Sequence, residues 1–253
     1  MKNILRITAF TLSLLSLLSC ANQQSLQHTI EGKEIPITHH LKSDQQIENF
    51  IAPYKEHLNK TLDSTLAYNP QVLSKNETGM NTGIGNLMAD IVMIQANPVF
   101  QKRTGKTIDL VLLNFGGIRS ALNKGDITTR DAYSLMPFEN QIVVAELTGQ
   151  KLKELLLYLE TARTAHPVSG IKIIMNKDYK IKRATIDGNE IIEDKHYFVA
   201  TSDYLQQGGD NMNFFKDPVH LFDLDYKLRN SIIDYFKKID TIKPHQDDRF
   251  IIR

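Results

Sequence analysis

Residues 108–119 read IDLVLLNFGGIR, and the fold is decided there. Ile108 to Leu113 form a short, nearly continuous apolar run, the pattern of a strand buried on both faces. The run ends in a loop, Asn114 to Arg119, in which Gly116 and Gly117 allow the backbone to come close to a ligand. Arg119 adds a planar fork of donors suited to phosphate or ribose oxygens.

Upstream, Ile84, Leu87, Met88, Ile91 and Val92 share one face of a helix that starts near Asn81 and is expected to stop before Pro98. Gly83 and Gly85 open this helix, but Met88 stands where a dinucleotide fingerprint needs its third glycine. Downstream, Gln141 to Leu147 read as a strand, and Thr148 caps a helix with a core stripe of Leu152, Leu155, Leu156 and Leu159. Strands follow at Ile171 to Met175, Ile181 to Ile186 and His196 to Thr201, with a hairpin turn at Asp187-Gly188-Asn189. A last helix is expected over Asp223 to Ile239, then a strand from Arg249 to Ile252. Helices mixed with hairpins indicate an α/β (α+β) layered, mixed-sheet domain rather than a parallel doubly wound sheet.

Toward the amino terminus, Ser43 and Gln46 suggest a capping box for a helix reaching about Leu66, with Ile47, Phe50, Ile51, Tyr54, Leu58 and Leu62 at helical spacing and Pro53 as its flaw. Residues 20–42 are polar and aperiodic, as in a tether. Before them, Lys2 and Arg6 precede an uncharged stretch of about 14 residues closing in Leu17-Leu18-Ser19-Cys20. That stretch is short of the ~20 residues a transmembrane helix needs. It reads as a lipoprotein signal peptide over 1–19, with Cys20 lipidated, the protein anchored in the cell envelope on the periplasmic or outer-membrane side, and one folded domain over 43–253.

Thirty basic against 29 acidic residues give a net charge of +1, so no global field draws the chain to nucleic acid. Cys20 is the single cysteine, which excludes an internal disulfide and a cysteine-based zinc site.

Three loops stand apart from ordinary connectors: NFGGIR (114–119), MPFEN (136–140) and YLQQGGD (204–210). Phe138 and Tyr204 lie in or beside loops, where two rings with a polar rim can sandwich a flat base. Taken singly, each ring also fits core packing.

With GNLMAD (85–90), GDIT (125–128), LTG (147–149) and GGD (208–210), these loops resemble, in order and spacing, the C-terminal domain of bacterial periplasmic and animal ecto-5′-nucleotidases. The resemblance implies a nucleotide-binding domain in which Phe138 and Tyr204 stack on the base, Tyr204 standing where a Phe is usual. It assigns Asn114 and Asn140 to the base, Gly116 and Gly117 to the loop around the ligand, Arg119 to ribose and phosphate, and Asp210 to the ribose hydroxyls. A carboxylate accepts from both hydroxyls of a diol, and an amide both donates to and accepts from a base edge.

Four departures from the family pattern are expected to narrow the pocket or alter its ligand: Thr78 for an arginine, Phe115 and Glu139 for glycines, and Asn211-Met212 for a Gly-aromatic pair. Of the three segments of the family's metal-bearing domain, Gly-Asn-His-Glu/Asp and Gly-His-x-His do not occur in these 253 residues, and Asp-x-His occurs once, as Asp194-Lys195-His196, without the other two. The resemblance therefore implies no catalytic or metal-binding residue and no cofactor here, with a divalent metal on a separate metallophosphoesterase partner chain. A lipid-anchored nucleoside-binding protein without such a partner and a structural module with a decayed pocket are the alternatives.

Overall fold

The computed structural model describes residues 32–243 and 245–253. Cys20, the expected signal peptide and the first part of the expected tether lie outside the described residues. The chain divides into two compact units, one ending at Asn49 and one running from Phe50 to Arg253. In the first, residues 32–44 hold no helix or strand beyond a turn.

Helix α1 spans Gln45–Leu62. Its cap is Asp44, whose carboxylate accepts the N–H groups of Gln46 at 2.8 Å and Ile47 at 3.2 Å, in place of the expected Ser43–Gln46 box. The helix continues through Pro53 and buries none of its residues, leaving Phe50, Tyr54 and Leu58 exposed. It ends four residues short of the expected Leu66, because Thr65–Asn69 extends as β1 and pairs antiparallel with β3, Gly125–Thr128.

The 22-residue helix α2, Gly83–Thr104, is capped by Thr82, whose hydroxyl accepts from Gly85 N at 3.1 Å, and closed by Gly105 at φ 73°. It does not stop before Pro98 as expected. Ala96 and Phe100, both wholly buried, carry the helix past the proline, and the carbonyl that loses its donor belongs to Ile94, which is half exposed.

The central sheet has five strands: β2 (Leu110–Leu112), β4 (Gln141–Thr148), β5 (Val168–Ser169), β9 (His196–Ser202) and β10 (His220–Lys227), in the order β10-β4-β9-β2-β5. Only β2 and β9 are parallel, so the mixed-sheet expectation holds. Period-two alternation feeds two cores. Val111 and Leu113 face one with α2 and with α6, Leu228–Phe236; Leu110 and Leu112 face another with the leucines of α4, Gly149–Ala162. That second core also takes Ile173 and Met175 of a four-stranded sheet made of β6 (Ile171–Met175), β7 (Ile181–Ile186), β8 (Asn189–Glu190) and β11 (Phe250–Ile252). Asp187 and Gly188, at φ 48° and 76°, make the predicted hairpin between β7 and β8.

The expected helix over Asp223 to Ile239 is instead strand then helix. His220 to Lys227 pair with β4, a bulge at Asp225 (φ 48°) interrupts the register, and the helix begins at Leu228. A short helix α3, Thr129–Leu135, follows β3 with a capping box between Thr128 and Asp131, and α5 is the single turn Asp203–Gln206.

Candidate functional site

Sheet topology brings the three unusual loops to one edge. The parallel strands β2 and β9 end on the same side and release NFGGIR and YLQQGGD there. Antiparallel β4 begins on that side, Ile142 opposite Ser202, and brings in MPFEN. The crevice outside the carboxyl ends of parallel strands is where open α/β sheets hold ligands.

A cavity of about 320 Å³ occupies this edge, lined by Asn114, Gly116, Gly117, Arg119, Phe138, Asn140, Tyr204 and Asp210 together with Leu113, Met136, Ser202 and Leu228. Every residue singled out from the sequence for ligand contact is in its wall. The last four are apolar or small residues at element ends, without a chemical signature in the sequence. Phe138 and Tyr204 are 42% and 47% exposed, so neither ring is spent on core packing.

Asp210 stands at the junction of two loops. Asn114 Nδ2 donates to its Oδ2 at 2.7 Å, Tyr204 Oη donates to its Oδ1 at 2.8 Å, and Tyr158 Oη donates to its carbonyl at 3.0 Å. The carboxylate beside it holds the Tyr204 phenol above its usual pKa. Gly117 packs closely on Asn114: a Cβ there would lie 2.7 Å from Asn114 Oδ1, so the side chain that donates to Asp210 would have to shift. Below the loop sits His166, buried, accepting the Phe115 N–H at Nδ1. Burial pushes this imidazole down to about 4, against the opposing pull of the Asp210 charge.

The MPFEN loop is held from beneath by Arg229. Its buried guanidinium donates from Nη1 to the carbonyls of Met136, Pro137 and Phe138 at 3.4, 3.0 and 3.2 Å and lies 4.1 Å from the Tyr133 ring centroid. Nη2 meets Glu139, which Lys227 also engages, and the two cations hold the Glu139 carboxyl down at about 2. On the rim, Arg119 lies 5.7 Å from the Phe138 ring and donates to Gly116 O.

The four departures from the family pattern do not line the cavity. Thr78, Phe115, Glu139, Asn211 and Met212 are all outside the cavity wall. Glu139 turns to its two cations, Met212 is fully buried in the second core, and Phe115 packs under Lys75. Thr78 lines a separate cleft beside Asn81 and the C-terminal strand. The one replacement in the wall is Tyr204.

The family model for the 5′-nucleotidase C-terminal domain matches residues 61–217. The chain belongs to this family. It is 28% identical over 233 residues to the trifunctional nucleotide phosphoesterase protein YfkN of Bacillus subtilis, covering 85% of this chain and 16% of that protein. To the 5′-nucleotidase of Vibrio cholerae it is 25% identical over 191 residues, 71% of this chain and 32% of the relative. The crystal structure of the 5′-nucleotidase precursor from Thermus thermophilus shares the fold, with a TM-score of 0.68 at 20% identity over 81% of this chain and 42% of that one. The chain thus spans less than half the length of the relatives it matches. Among the described residues no group of three or more His, Cys, Asp or Glu side chains is arranged to hold a metal ion, and no helix is long and apolar enough to cross a membrane.

Proposed function

We propose that this chain is a substrate-recognition component that binds a nucleoside or nucleotide in the cavity at the β2–β9 edge, while a separate metallophosphoesterase chain hydrolyses the phosphate ester. The observation that carries the reading is the convergence of Asn114, Arg119, Phe138, Asn140, Tyr204 and Asp210 on one cavity. Its volume lies at the lower end of the range typical of small-molecule sites. Two exposed rings offer faces to a base, the asparagines offer amides to its edge, Asp210 accepts from ribose hydroxyls, and Arg119 supplies the cation for phosphate. Membership of the 5′-nucleotidase family supports the same ligand class.

Calorimetric titration of the full chain with adenosine and AMP tests this. Binding is expected, with Phe138→Ala and Tyr204→Ala each losing about 1–3 kcal/mol if the rings stack on the base. Unchanged affinity in the double variant overturns the clamp, and absence of binding by the wild type overturns the function.

The proposal includes lipid anchoring through Cys20, supported by the basic start, short apolar stretch and small residues before the thiol. Metabolic labelling with a radiolabelled fatty acid is expected to mark the wild type and not Cys20→Ala. Labelling of both rejects the anchor.

A further inference from the structure

The Tyr204 hydroxyl makes two hydrogen bonds to one residue six positions away. It donates to Asp210 Oδ1 at 2.8 Å and accepts the Asp210 N–H at 3.3 Å. The sequence between them is built for this closure. Gly209 has no side chain because a Cβ there would lie 2.5 Å from the Tyr204 ring, and Gly208 takes φ 92°. Asp210 itself sits at φ 51°, a left-handed conformation uncommon for a residue with a side chain, and is held there by Tyr204 from one side and by the Tyr158 bond to its carbonyl from another.

The carboxylate is consequently clasped at both oxygens, by Tyr204 at Oδ1 and by Asn114 at Oδ2. A carboxylate offers about four lone-pair sites, so each oxygen keeps one acceptor position. Asp210 is exposed and lines the cavity, which leaves those positions accessible to a ligand. Two acceptor positions on a carboxylate that cannot rotate match two adjacent hydroxyls, and the ordering cost is met in the free protein instead of on binding.

We propose that Tyr204 is a specificity-determining residue of the site: through its hydroxyl it fixes the Asp210 carboxylate for a vicinal diol, so that the pocket selects ribonucleosides over deoxynucleosides. This rests on the nucleoside-binding reading above and separates two roles of one side chain. The ring serves any base; the hydroxyl acts through Asp210 on the sugar.

Tyr204→Phe keeps the ring and removes the clasp. Dissociation constants of the full chain for adenosine and 2′-deoxyadenosine are expected to differ about tenfold in the wild type, the size of one hydrogen bond to a charged acceptor. In Tyr204→Phe the ratio should fall to about twofold while the affinity for 2′-deoxyadenosine changes little. Because the hydroxyl acts through Asp210, adding Tyr204→Phe to Asp210→Asn should alter the ratio no further. A ratio that is undiminished in Tyr204→Phe, or equal effects of Tyr204→Phe in both backgrounds, overturns the proposal and leaves nucleoside binding standing. If neither nucleoside binds the wild type, the functional reading fails and this inference fails with it.

Discussion

The buried ring of His166 accepts the backbone N–H of Phe115 at Nδ1, 3.2 Å away, and so supports the glycine loop that forms one wall of the cavity. Acceptance at Nδ1 requires a ring unprotonated there, and burial enforces it by pushing the pKa down to about 4. The unfolded chain binds this proton near 6.5, so between about pH 6.5 and 4 the unfolded state holds more protons than the folded one. Stability from this group is therefore fully present above pH 6.5 and is lost as pH falls toward 4, by at most about 3 kcal/mol. Urea denaturation from pH 7.5 to 4 should show that decline, and His166→Gln should flatten it. An equally steep decline in the variant excludes His166 as its origin.

Arg229 is expected to govern the position of Phe138 without touching the ligand. Replacing it by Met keeps much of the packing volume but leaves the carbonyls of Met136, Pro137 and Phe138 without their common donor. A loss of about 3 kcal/mol is expected, in the range for a buried charged group with several hydrogen bonds. Nucleoside affinity should fall as well, because the loop carrying Phe138 loses its support. Glu139→Gln should do less, since that carboxylate is largely exposed and Arg229 keeps its three carbonyl bonds. Thermal melts and calorimetry on the two variants give the order, and a larger effect from Glu139→Gln contradicts it.

The site was more legible in the sequence than the fold around it. NFGGIR, MPFEN and YLQQGGD each pair special backbone residues with chemically distinctive side chains, and the sheet brings all three to one edge. His166 and Arg229 were not legible, because their roles depend on which backbone groups long-range packing brings beside them. Elements with their own signals, such as the Asp187-Gly188 turn and the Thr148 cap, appear where expected. The misreadings arise where tertiary contacts override local preference. Pro98 is carried by a buried helix face, and His220 to Lys227 become a strand because β4 offers them an edge. β1 and β3 are each too short to announce themselves and exist by pairing with one another.

The GNLMAD segment also has a structural explanation, which yields a stability prediction. Asp90 takes a bidentate ion pair from Arg249 at 2.6 and 2.9 Å and a hydrogen bond from Ser169 Oγ at 2.6 Å, while Asn86 donates to His245 O. These contacts fasten the C-terminal segment to α2. Burial alone would lower the Arg249 pKa, but the Asp90 and Asp247 carboxylates outweigh it and hold the guanidinium even further above its ordinary value. Asp90→Ala should cost about 2–3 kcal/mol in urea denaturation, as expected for charge-assisted hydrogen bonds with limited exposure. Nucleoside affinity should be preserved, because Asp90 is not in the cavity wall. A variant of normal stability and impaired binding would place Asp90 in recognition instead.

The proposed split between recognition and hydrolysis makes the most demanding prediction. The full chain alone should release no phosphate from AMP above background, even with Mn²⁺, Co²⁺ or Zn²⁺ supplied. Hydrolysis of a phosphate monoester is among the slowest uncatalysed reactions, and stacking a base or binding a ribose does nothing to generate the attacking hydroxide. Two metal ions supply that nucleophile and steady the charge on the ester, and the described residues of this chain hold no cluster to bind them. Mixing the chain with the metallophosphoesterase partner should produce chelator-sensitive release exceeding that of the partner alone. Within the mixture, Arg119→Ala should raise KM more than it lowers kcat, since recognition is the role proposed for the arginine and its loss would weaken ground state and transition state alike. Sustained, chelator-sensitive phosphate release by the purified chain alone, retained through steps that remove contaminating phosphatases, would sink the division of labour, because the metal centre would then have to be on this chain.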